Sequence, residues 1–298
     1  MPATQFTCPT GHKIKIKQCL KKCHYPERCA TLPYLRTISH ERKWTGKVSP
    51  SRAGTGPRKI YLEQVNDYAI SPHGRAWASF GTATHDKLSY YKYTDNVLSE
   101  ETLSDEDMKG IADVLEMDEN CPGKFVLLDY KCVGSFKVAK MKGIISIDKE
   151  ILDDEGNPIL LKSGKNKGQP KTKKETVLDP KKADLRSETL QLNRYRIFFE
   201  EAGFPISRIT IQVLVRDGNT YIAKSRGIES SIEMIDVPIR SNIEILTFYE
   251  SLQHFVDRAF KTGQVRKCTS WESWEGRRCC EEYCEVYKPC MKMGKEEK

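Results

Sequence analysis

The alternation of apolar and polar positions predicts four strands in the middle of the chain. Residues 125–131 begin with a compact apolar run, and residues 108–115 alternate between apolar and polar side chains. Residues 209–215 and 220–223 lie on either side of a short turn sequence, which predicts a hairpin. We therefore expect a mixed central sheet built from these four segments.

Apolar residues that recur every three or four positions predict helices before and after these strands. One amphipathic helix lies within residues 32–44, and another occupies residues 243–260. A third covers residues 184–202, where Gly203 ends it. Strands and helices in this order predict an α/β fold.

Residues 137–182, which follow the strand predicted at residues 125–131, are predicted to be an insertion. Residues 144–147 and 159–161 predict a hairpin across a turn at residues 153–158. The insertion also contains a lysine-rich stretch, made up of Lys162, Lys165, Lys167, Lys171, Lys173, Lys174, Lys181 and Lys182. A solvated loop and an arm that contacts nucleic-acid phosphates are both compatible with this composition.

Composition and charge narrow the class of protein. The chain has 298 residues, 30% of them charged, and a formal net charge of +8, which favours a polyanionic partner such as DNA. No apolar run approaches the length of a membrane span, and the N-terminus lacks the apolar core of a signal sequence. A membrane partner is therefore not expected, and we expect a cytoplasmic protein.

Candidate chemistry lies at the end of the strand predicted at residues 125–131. Asp129 and Lys131 are two residues apart, so a strand would place both side chains on one face. Asp113 can approach Asp129 if the two predicted strands pair. Two carboxylates can bind a divalent cation, and a lysine beside them can hold a phosphate or orient water. An ordinary ion pair on a surface hairpin is the alternative.

Four short motifs in a fixed order place this candidate site in a larger pattern. They are Gly-x-x-x-His, Gly-x-x-Asp, Asp-x-Lys and Gln-x-x-x-Tyr, formed by Gly81 and His85, Gly110 and Asp113, Asp129 and Lys131, and Gln191 and Tyr195. Gly81 is expected at the start of a helix that carries His85. Together the motifs resemble the RecB-like branch of the PD-(D/E)xK nuclease superfamily over about residues 81–216.

The resemblance implies a restriction-endonuclease-like core and hydrolysis of DNA. By analogy, His85, Asp113 and Asp129 would hold Mg²⁺ or Mn²⁺, and Lys131 would position the attacking water and the phosphate. Gln191 and Tyr195 would steady the DNA strand. The resemblance favours an exonuclease acting on single-stranded or tailed DNA ends, and a helicase or recombination protein is the kind of partner it implies. The competing hypothesis is a non-catalytic DNA-binding protein whose fold is stabilised by a bound metal.

The eleven cysteines are concentrated near the two ends of the chain, which favours metal ligation over disulfides in a reducing compartment. Cys280, Cys284 and Cys290 resemble the cysteine pattern of the iron-sulfur CRISPR-associated and AddB-type nucleases. The resemblance implies a [4Fe-4S] cluster with Cys29 as the remote fourth ligand. Zinc is the alternative occupant. The spacing from Cys280 to Cys284 is one residue longer than the family's usual spacing, and the additional Cys279 leaves the choice of ligand open.

A second metal site is suggested at the N-terminus. Cys8, Cys19 and Cys23 could bind zinc together with either His12 or His24. Free thiols are the alternative at these positions.

The sequence therefore suggests three consecutive segments. A cysteine-rich N-terminal segment with a helix covers residues 1–45, a nuclease core with the lysine-rich insertion covers 46–230, and a helix with a cysteine-rich metal segment covers 231–298.

Overall fold

The computed structural model describes residues 3–296 except for residues 41–43, 91–96 and 105–107. The strands in these ranges are β1 Gln5–Thr7, β2 Lys13–Lys15, β3 Ala69–Ile70, β4 Val97–Ser104, β5 Lys109–Met117, β6 Phe125–Val133, β7 Ile144–Glu150, β8 Thr172–Leu178, β9 Ile206–Val215 and β10 Ile232–Val237. The helices are α1 Ile16–Lys21, α2 Leu32–Ser39, α3 Pro57–Val65, α4 Ala76–Ser89, α5 Ser135–Lys142, α6 Arg186–Glu201, α7 Tyr221–Ser225, α8 Asn242–Thr262 and α9 Tyr287–Glu296.

Within the described ranges, the largest sheet has the strand order β10-β9-β6-β5-β4. Strand β5 pairs antiparallel with both β4 and β6. Strand β6 runs parallel to β9, because the N–H of Phe125 donates to the carbonyl of Pro205 and the N–H of Arg216 donates to the carbonyl of Val133. A mixed sheet flanked by helices is therefore confirmed. The finer prediction of a restriction-endonuclease-like core stays a prediction.

The hairpin predicted between residues 209–215 and 220–223 is wrong in its second half. Thr220 accepts a hydrogen bond from the N–H of Ala223 and begins the short helix α7. A threonine hydroxyl at this position satisfies a backbone donor that a helix would otherwise leave unpaired. Strand β10 pairs with β9 instead, and the N–H of Val215 donates to the carbonyl of Ser231 at the start of this pairing.

The chain folds into two compact units that are not consecutive in sequence. The first unit comprises Met1–Leu128, Arg186–Ile209 and Pro238–Lys298, and the second comprises Asp129–Leu185 and Thr210–Val237. This division differs from the three consecutive segments that the sequence suggests, because β6 and β9 each pass from the first unit into the second.

In the first unit, α6 is buried along most of its length. The guanidinium of Arg196 is satisfied there by the side chain of Asn193 at 3.2 Å and the carbonyl of Arg240 at 3.0 Å. Helix α8 begins where the hydroxyl of Ser241 accepts a hydrogen bond from the N–H of Glu244. The helices predicted at residues 184–202 and 243–260 are both confirmed, with small differences at their ends.

The N-terminal part of the first unit has a small sheet of its own, with strand order β2-β1-β3. Its buried side chains form a separate apolar cluster with those of α1 and α2, consisting of Ala3, Phe6, Cys19, Leu35, Ile38 and Ile70. Strand β2 is only three residues long, because α1 begins at Ile16. The helix predicted within residues 32–44 corresponds to α2; residues 41–43 lie outside the described residues.

In the second unit, the insertion forms an antiparallel arm in which β7 pairs with β8. The predicted partner of residues 144–147 was therefore wrong. Residues 159–161 lie beyond the end of β7. There the N–H of Ile159 donates a hydrogen bond to the carbonyl of Ile151. All eight lysines of the predicted basic stretch are exposed. Within the described ranges, no helix combines the length and apolar character needed to cross a membrane.

Candidate metal-binding site

Helix α4 supplies the histidine of the candidate site. The predicted helix around His85 is confirmed as Ala76–Ser89, but Gly81 lies in its interior and not at its start. A residue four positions before His85 shares its helix face. The Nδ1 atom of His85 lies 3.3 Å from the Oδ1 atom of Asp113 on β5. Two of the predicted ligands, far apart in sequence, are therefore neighbours within the first unit.

Strand β4 adds a third candidate ligand, Glu100, which the sequence favours as a solvated carboxylate, with a role as an extra metal ligand as the alternative. Its register pairs Ser99 with Val114 and Glu101 with Ala112, so Glu100 lies across from Asp113 between these pairs. One ligand atom from each of His85, Glu100 and Asp113 lies within 4.8 Å of the other two. This set offers one imidazole nitrogen and two carboxylate oxygens, which suits Mn²⁺ or Mg²⁺.

The two carboxylates of the site lie across from each other on paired strands. Like charges directly opposite on paired strands repel one another. Glu100 also has a φ angle of 55°, in the left-handed region that residues with a side chain rarely adopt. Such a backbone conformation costs about 1–3 kcal/mol and is concentrated at functional sites. A bound divalent cation would offset the repulsion between Glu100 and Asp113.

The Asp-x-Lys motif forms an ion pair in the second unit. The Nζ atom of Lys131 lies 2.6 Å from the Oδ2 atom of Asp129, and both residues belong to β6. Asp129 is only 2% exposed, so its carboxylate is shielded from water. The predicted placement of both side chains on one face of a strand is therefore confirmed. On the N-terminal side of the motif, Leu128 of β6 pairs with Val114 of β5 in the first unit.

The Gln-x-x-x-Tyr motif lies on α6 and packs against β5. Tyr195 is buried, and Gln191 is half-buried one turn earlier in the helix. A Cβ atom on Gly110 would lie 2.5 Å from Cε1 of Tyr195, so only glycine allows the ring to approach the strand this closely. Gly110 and Asp113 belong to the same motif. The contact between Gly110 and Tyr195 thus fixes β5 against α6 close to a predicted metal ligand.

Two of the C-terminal cysteines predicted as cluster ligands lie near Cys268. Burial raises the pKa of the Cys268 thiol to about 11, and Glu272, Cys290 and Cys284 add to this shift. Burial also raises the pKa of Cys284, while Lys59 opposes the change. The charge of Cys290 thus contributes to the raised pKa of both Cys268 and Cys284. Cys268 was not among the predicted ligands.

At the N-terminus, Cys29 lies in electrostatic range of the cysteines that were predicted to bind zinc. Burial raises the pKa of Cys8, and Cys29 and Cys23 add to the shift. The pKa of Cys19 is raised by burial and by the same neighbouring thiols. The prediction that Cys29 completes a cluster with Cys280, Cys284 and Cys290 stays a prediction.

The two histidines proposed as alternative zinc ligands contact each other. The rings of His12 and His24 stack with their centroids 5.0 Å apart, and both residues are exposed. Within the described residues, a set of three ligand atoms close enough for one ion is formed by His85, Glu100 and Asp113, and none is formed by the cysteines.

Comparison with protein-family models gives no match, and comparison with curated proteins gives none either. Among solved structures, the chain is similar to one described as "Crystal structure of SSO0001", with a TM-score of 0.37 and 14% sequence identity. The similarity covers 91% of this chain and 91% of that chain. At this TM-score, the similarity supports no statement about function.

Proposed function

We propose that this protein is a metal-dependent DNA nuclease, and that it acts as an exonuclease on DNA ends. The observation that carries the proposal is the convergence of His85, Glu100 and Asp113, whose ligand atoms lie within 4.8 Å of one another. Two of these residues are ligands that the resemblance to RecB-like nucleases implies. The third, Glu100, adds an oxygen ligand of the kind that Mg²⁺ and Mn²⁺ prefer.

The resemblance to RecB-like nucleases also assigns a role in hydrolysis to the two residues of the Asp-x-Lys motif, Asp129 and Lys131. When bound, Mg²⁺ or Mn²⁺ lowers the pKa of a coordinated water and neutralises negative charge on the phosphate. By that resemblance, Asp129 would be a metal ligand. Lys131, held at 2.6 Å from Asp129, would donate hydrogen bonds to the attacking water and to a phosphate oxygen.

DNA is the proposed substrate because the charge of the chain favours a polyanion. The net charge is +8, and the lysines of the β7–β8 arm are exposed. Contacts from lysine to phosphate position DNA without reading its sequence, which suits an enzyme that degrades ends of any sequence. Gln191 and Tyr195 would help to position the strand. The buried ring of Tyr195 would act through packing on Gly110.

The proposal is tested by incubating end-labelled linear DNA and a covalently closed circle of the same sequence with the protein and Mn²⁺. An exonuclease releases labelled nucleotides from the linear DNA and leaves the circle intact. Single-stranded, double-stranded and tailed substrates define the preferred end. Cleavage of the circle at the same rate would show an endonuclease. Degradation of neither substrate would favour the non-catalytic DNA-binding protein that is stabilised by a bound metal.

The catalytic role of the motif is tested with Lys131→Ala and Asp129→Asn. Both variants should lose most of the hydrolysis rate, on the order of 100-fold or more, since each removes a group proposed to act on the reacting atoms. Lys224→Ala removes an exposed lysine on α7 of the same unit and serves as the control. Equal rates for Lys131→Ala and Lys224→Ala would show that the Asp-x-Lys motif is not catalytic.

A further inference from the structure

The arm formed by β7 and β8 continues into residues 151–171, the arm tip, where the chain makes two further hairpins. An antiparallel bridge pairs Leu152 with Pro158 in the first hairpin, and another pairs Leu160 with Pro170 in the second. The backbone of the arm tip is therefore paired in a defined way beyond the last residues of β7 and before the first residues of β8.

Three backbone hydrogen bonds join the two hairpins to the rest of the arm. The N–H of Ile159 donates to the carbonyl of Ile151 at 2.9 Å, the N–H of Ile151 donates to the carbonyl of Lys171 at 2.8 Å, and the N–H of Lys171 donates to the carbonyl of Ile159 at 2.7 Å. Each of these residues therefore donates one bond and accepts one. Because this ring of bonds involves only backbone groups, we expect the arm tip to keep its shape when exposed side chains are replaced.

Four apolar side chains share one face of the arm tip. Residues directly opposite each other in an antiparallel pair lie on the same face, and so do residues two apart on one extended segment. Leu152 and Pro158 therefore lie on the same face as Leu160 and Pro170. Leu152 is 53% exposed, Leu160 is 51% exposed, and Pro158 is exposed as well. Exposed apolar side chains that are gathered in this way indicate a binding surface.

The charges around this face are divided between the two hairpins. Residues 158–174 contain six lysines and neither aspartate nor glutamate, whereas residues 148–155 contain five acidic residues and one lysine. All six lysines are exposed. Three of them lie in the turn of the second hairpin, where the N–H of Gly168 donates to the carbonyl of Leu161 at 2.9 Å. The second hairpin is therefore complementary in charge to a polyanion.

The acidic turn of the first hairpin is partly occupied by its own backbone. The carboxylate of Asp153 accepts hydrogen bonds from the N–H of Glu155 at 3.0 Å and from the N–H of Asn157 at 2.8 Å. A polyanion would approach from the lysine-rich hairpin, to which Leu160 and Pro170 belong. These two side chains are therefore the part of the apolar face that a polyanion would contact.

We infer that the arm tip binds the end of a DNA duplex, with its apolar face on the terminal base pair and its lysines on nearby phosphates. Inside a duplex the flat faces of the bases are covered by their neighbours, whereas an open end exposes one of them. Leucine and proline are among the side chains that contact base faces where a stack is opened. Lysines hold the DNA backbone without reading its sequence.

The inference rests on the proposed action on DNA ends and names the feature of the end that is recognised. A blunt end and the junction of a tailed duplex both expose a terminal base pair, and a covalently closed loop covers it. The arm tip and the Asp-x-Lys motif belong to the same compact unit. Recognition of the end and part of the proposed hydrolysis would therefore be carried by one unit.

A binding measurement in EDTA tests the inference without hydrolysis. An internally labelled duplex with two blunt ends is compared by fluorescence anisotropy with a dumbbell of the same sequence, in which loops close both ends. We expect the wild type to bind the open duplex roughly 10-fold more tightly than the dumbbell, since burying one leucine side chain changes affinity by about this factor or more. Equal affinities of the wild type for the two substrates would overturn the inference.

Leu160→Ser and Leu178→Ser form a matched pair of variants. Leu178 is 64% exposed and pairs with Ile144 at the opposite end of the same arm. Leu160→Ser should bind the open duplex and the dumbbell equally, and Leu178→Ser should keep the wild-type preference. Lys165→Ala combined with Lys167→Ala should weaken both substrates by the same factor and leave the preference unchanged. A preference for open ends that Leu160→Ser retains would overturn the inference.

The outcomes for the arm tip and for the nuclease activity are distinguishable. A protein that prefers open ends in EDTA but does not hydrolyse DNA with Mn²⁺ would support the arm tip and contradict the proposed nuclease. Hydrolysis of ends without any preference in binding would do the reverse. Sedimentation with vesicles of phosphatidylserine and phosphatidylcholine tests the other anionic surface that a basic, apolar tip could contact. Vesicle binding that Leu160→Ser abolishes, with no preference for open DNA, would assign the face to a membrane and overturn the inference.

Discussion

Glu100 and Glu101 are adjacent on β4 and provide a matched pair for testing the metal site. The carboxylate of Glu100 lies with His85 and Asp113, whereas that of Glu101 is outside this group. We predict that Glu100→Gln weakens Mn²⁺ binding by at least about 10-fold, since one of the gathered ligands is lost. Glu101→Gln should bind Mn²⁺ as the wild type does. Titration of Mn²⁺ followed by the electron paramagnetic resonance of the free ion measures both affinities. Equal affinities for the two variants would remove Glu100 from the site.

Two glycines of the sequence motifs are predicted to respond oppositely to alanine. Gly110→Ala would place a Cβ 2.5 Å from Cε1 of Tyr195, so we expect a loss of about 1–3 kcal/mol of unfolding free energy from overpacking. Gly81 lies inside α4 with no heavy atom within 4 Å of an added Cβ. Gly81→Ala should therefore stabilise the helix by about 0.5–1 kcal/mol. Denaturant unfolding of both variants gives the two changes. A stable Gly110→Ala would show that the Tyr195 ring can move away from β5.

At the scale of single elements, Asp217 fixes the helix that follows β6. Its carboxylate accepts hydrogen bonds from the N–H of Ser135 at 2.6 Å and from the hydroxyl of Ser135 at 2.7 Å, at the first residue of α5. Burial raises the pKa of Asp217, but the hydrogen bonds from Ser135 and the charge of Arg226 outweigh burial and hold that pKa below its usual range. A depressed pKa means that the folded state favours the charged carboxylate.

The direction of this pKa shift predicts a dependence of stability on acid. The contribution of Asp217 is fully present above the pKa of an unfolded aspartate, about 3.9, and is lost as the pH falls through the lower pKa of the folded state. Asp217→Asn should cost about 1–2 kcal/mol of unfolding free energy at neutral pH, and the difference from wild type should shrink below about pH 4. Unfolding measured against pH tests this, with the exposed Glu229→Gln as control. A difference that stays constant down to the lowest pH would contradict the assignment.

The β7–β8 arm can be shortened without changing its register. Glu150 and Thr172 form the outermost pair of the two strands, so an Asn-Gly turn in place of residues 151–171 would close the hairpin. The change removes four lysines, Lys162, Lys165, Lys167 and Lys171. We predict weaker DNA binding and a slope of log affinity against log salt that is smaller by up to about 4, since each phosphate contact contributes roughly 0.9. Fluorescence anisotropy at several salt concentrations measures the slope. An unchanged slope would show that the arm does not contact phosphates.

Over the whole molecule, the sequence predicts the strands that carry long apolar runs. Strands β6 and β9 were found in this way. Strand β4 was missed because its sequence is largely polar and only one of its eight residues is buried. The sequence favours a solvated Glu100 over a metal ligand, because its position across from Asp113 is apparent only from the register. Strand β10 was missed because the turn after β9 was assigned to a hairpin.

The residues of the candidate site were likewise predicted where a sequence motif marks them, and were missed where only the packing of the fold brings them together. His85 and Asp113 belong to spaced motifs, so the sequence predicts them without knowing how the chain folds. The contact of Gly110 with Tyr195 depends on how α6 packs on β5, and local patterns do not encode this packing.

The most direct test of the account is the rate at which end-labelled linear DNA is hydrolysed by Asp113→Asn in the presence of Mn²⁺. Asp113 lies 3.3 Å from His85 and across from Glu100, so its loss should disrupt metal binding while the fold is retained. The account predicts a rate that is lower on the order of 100-fold or more than that of wild type, with Glu101→Gln near the wild-type rate. Hydrolysis by Asp113→Asn at the wild-type rate would contradict a catalytic metal at this site.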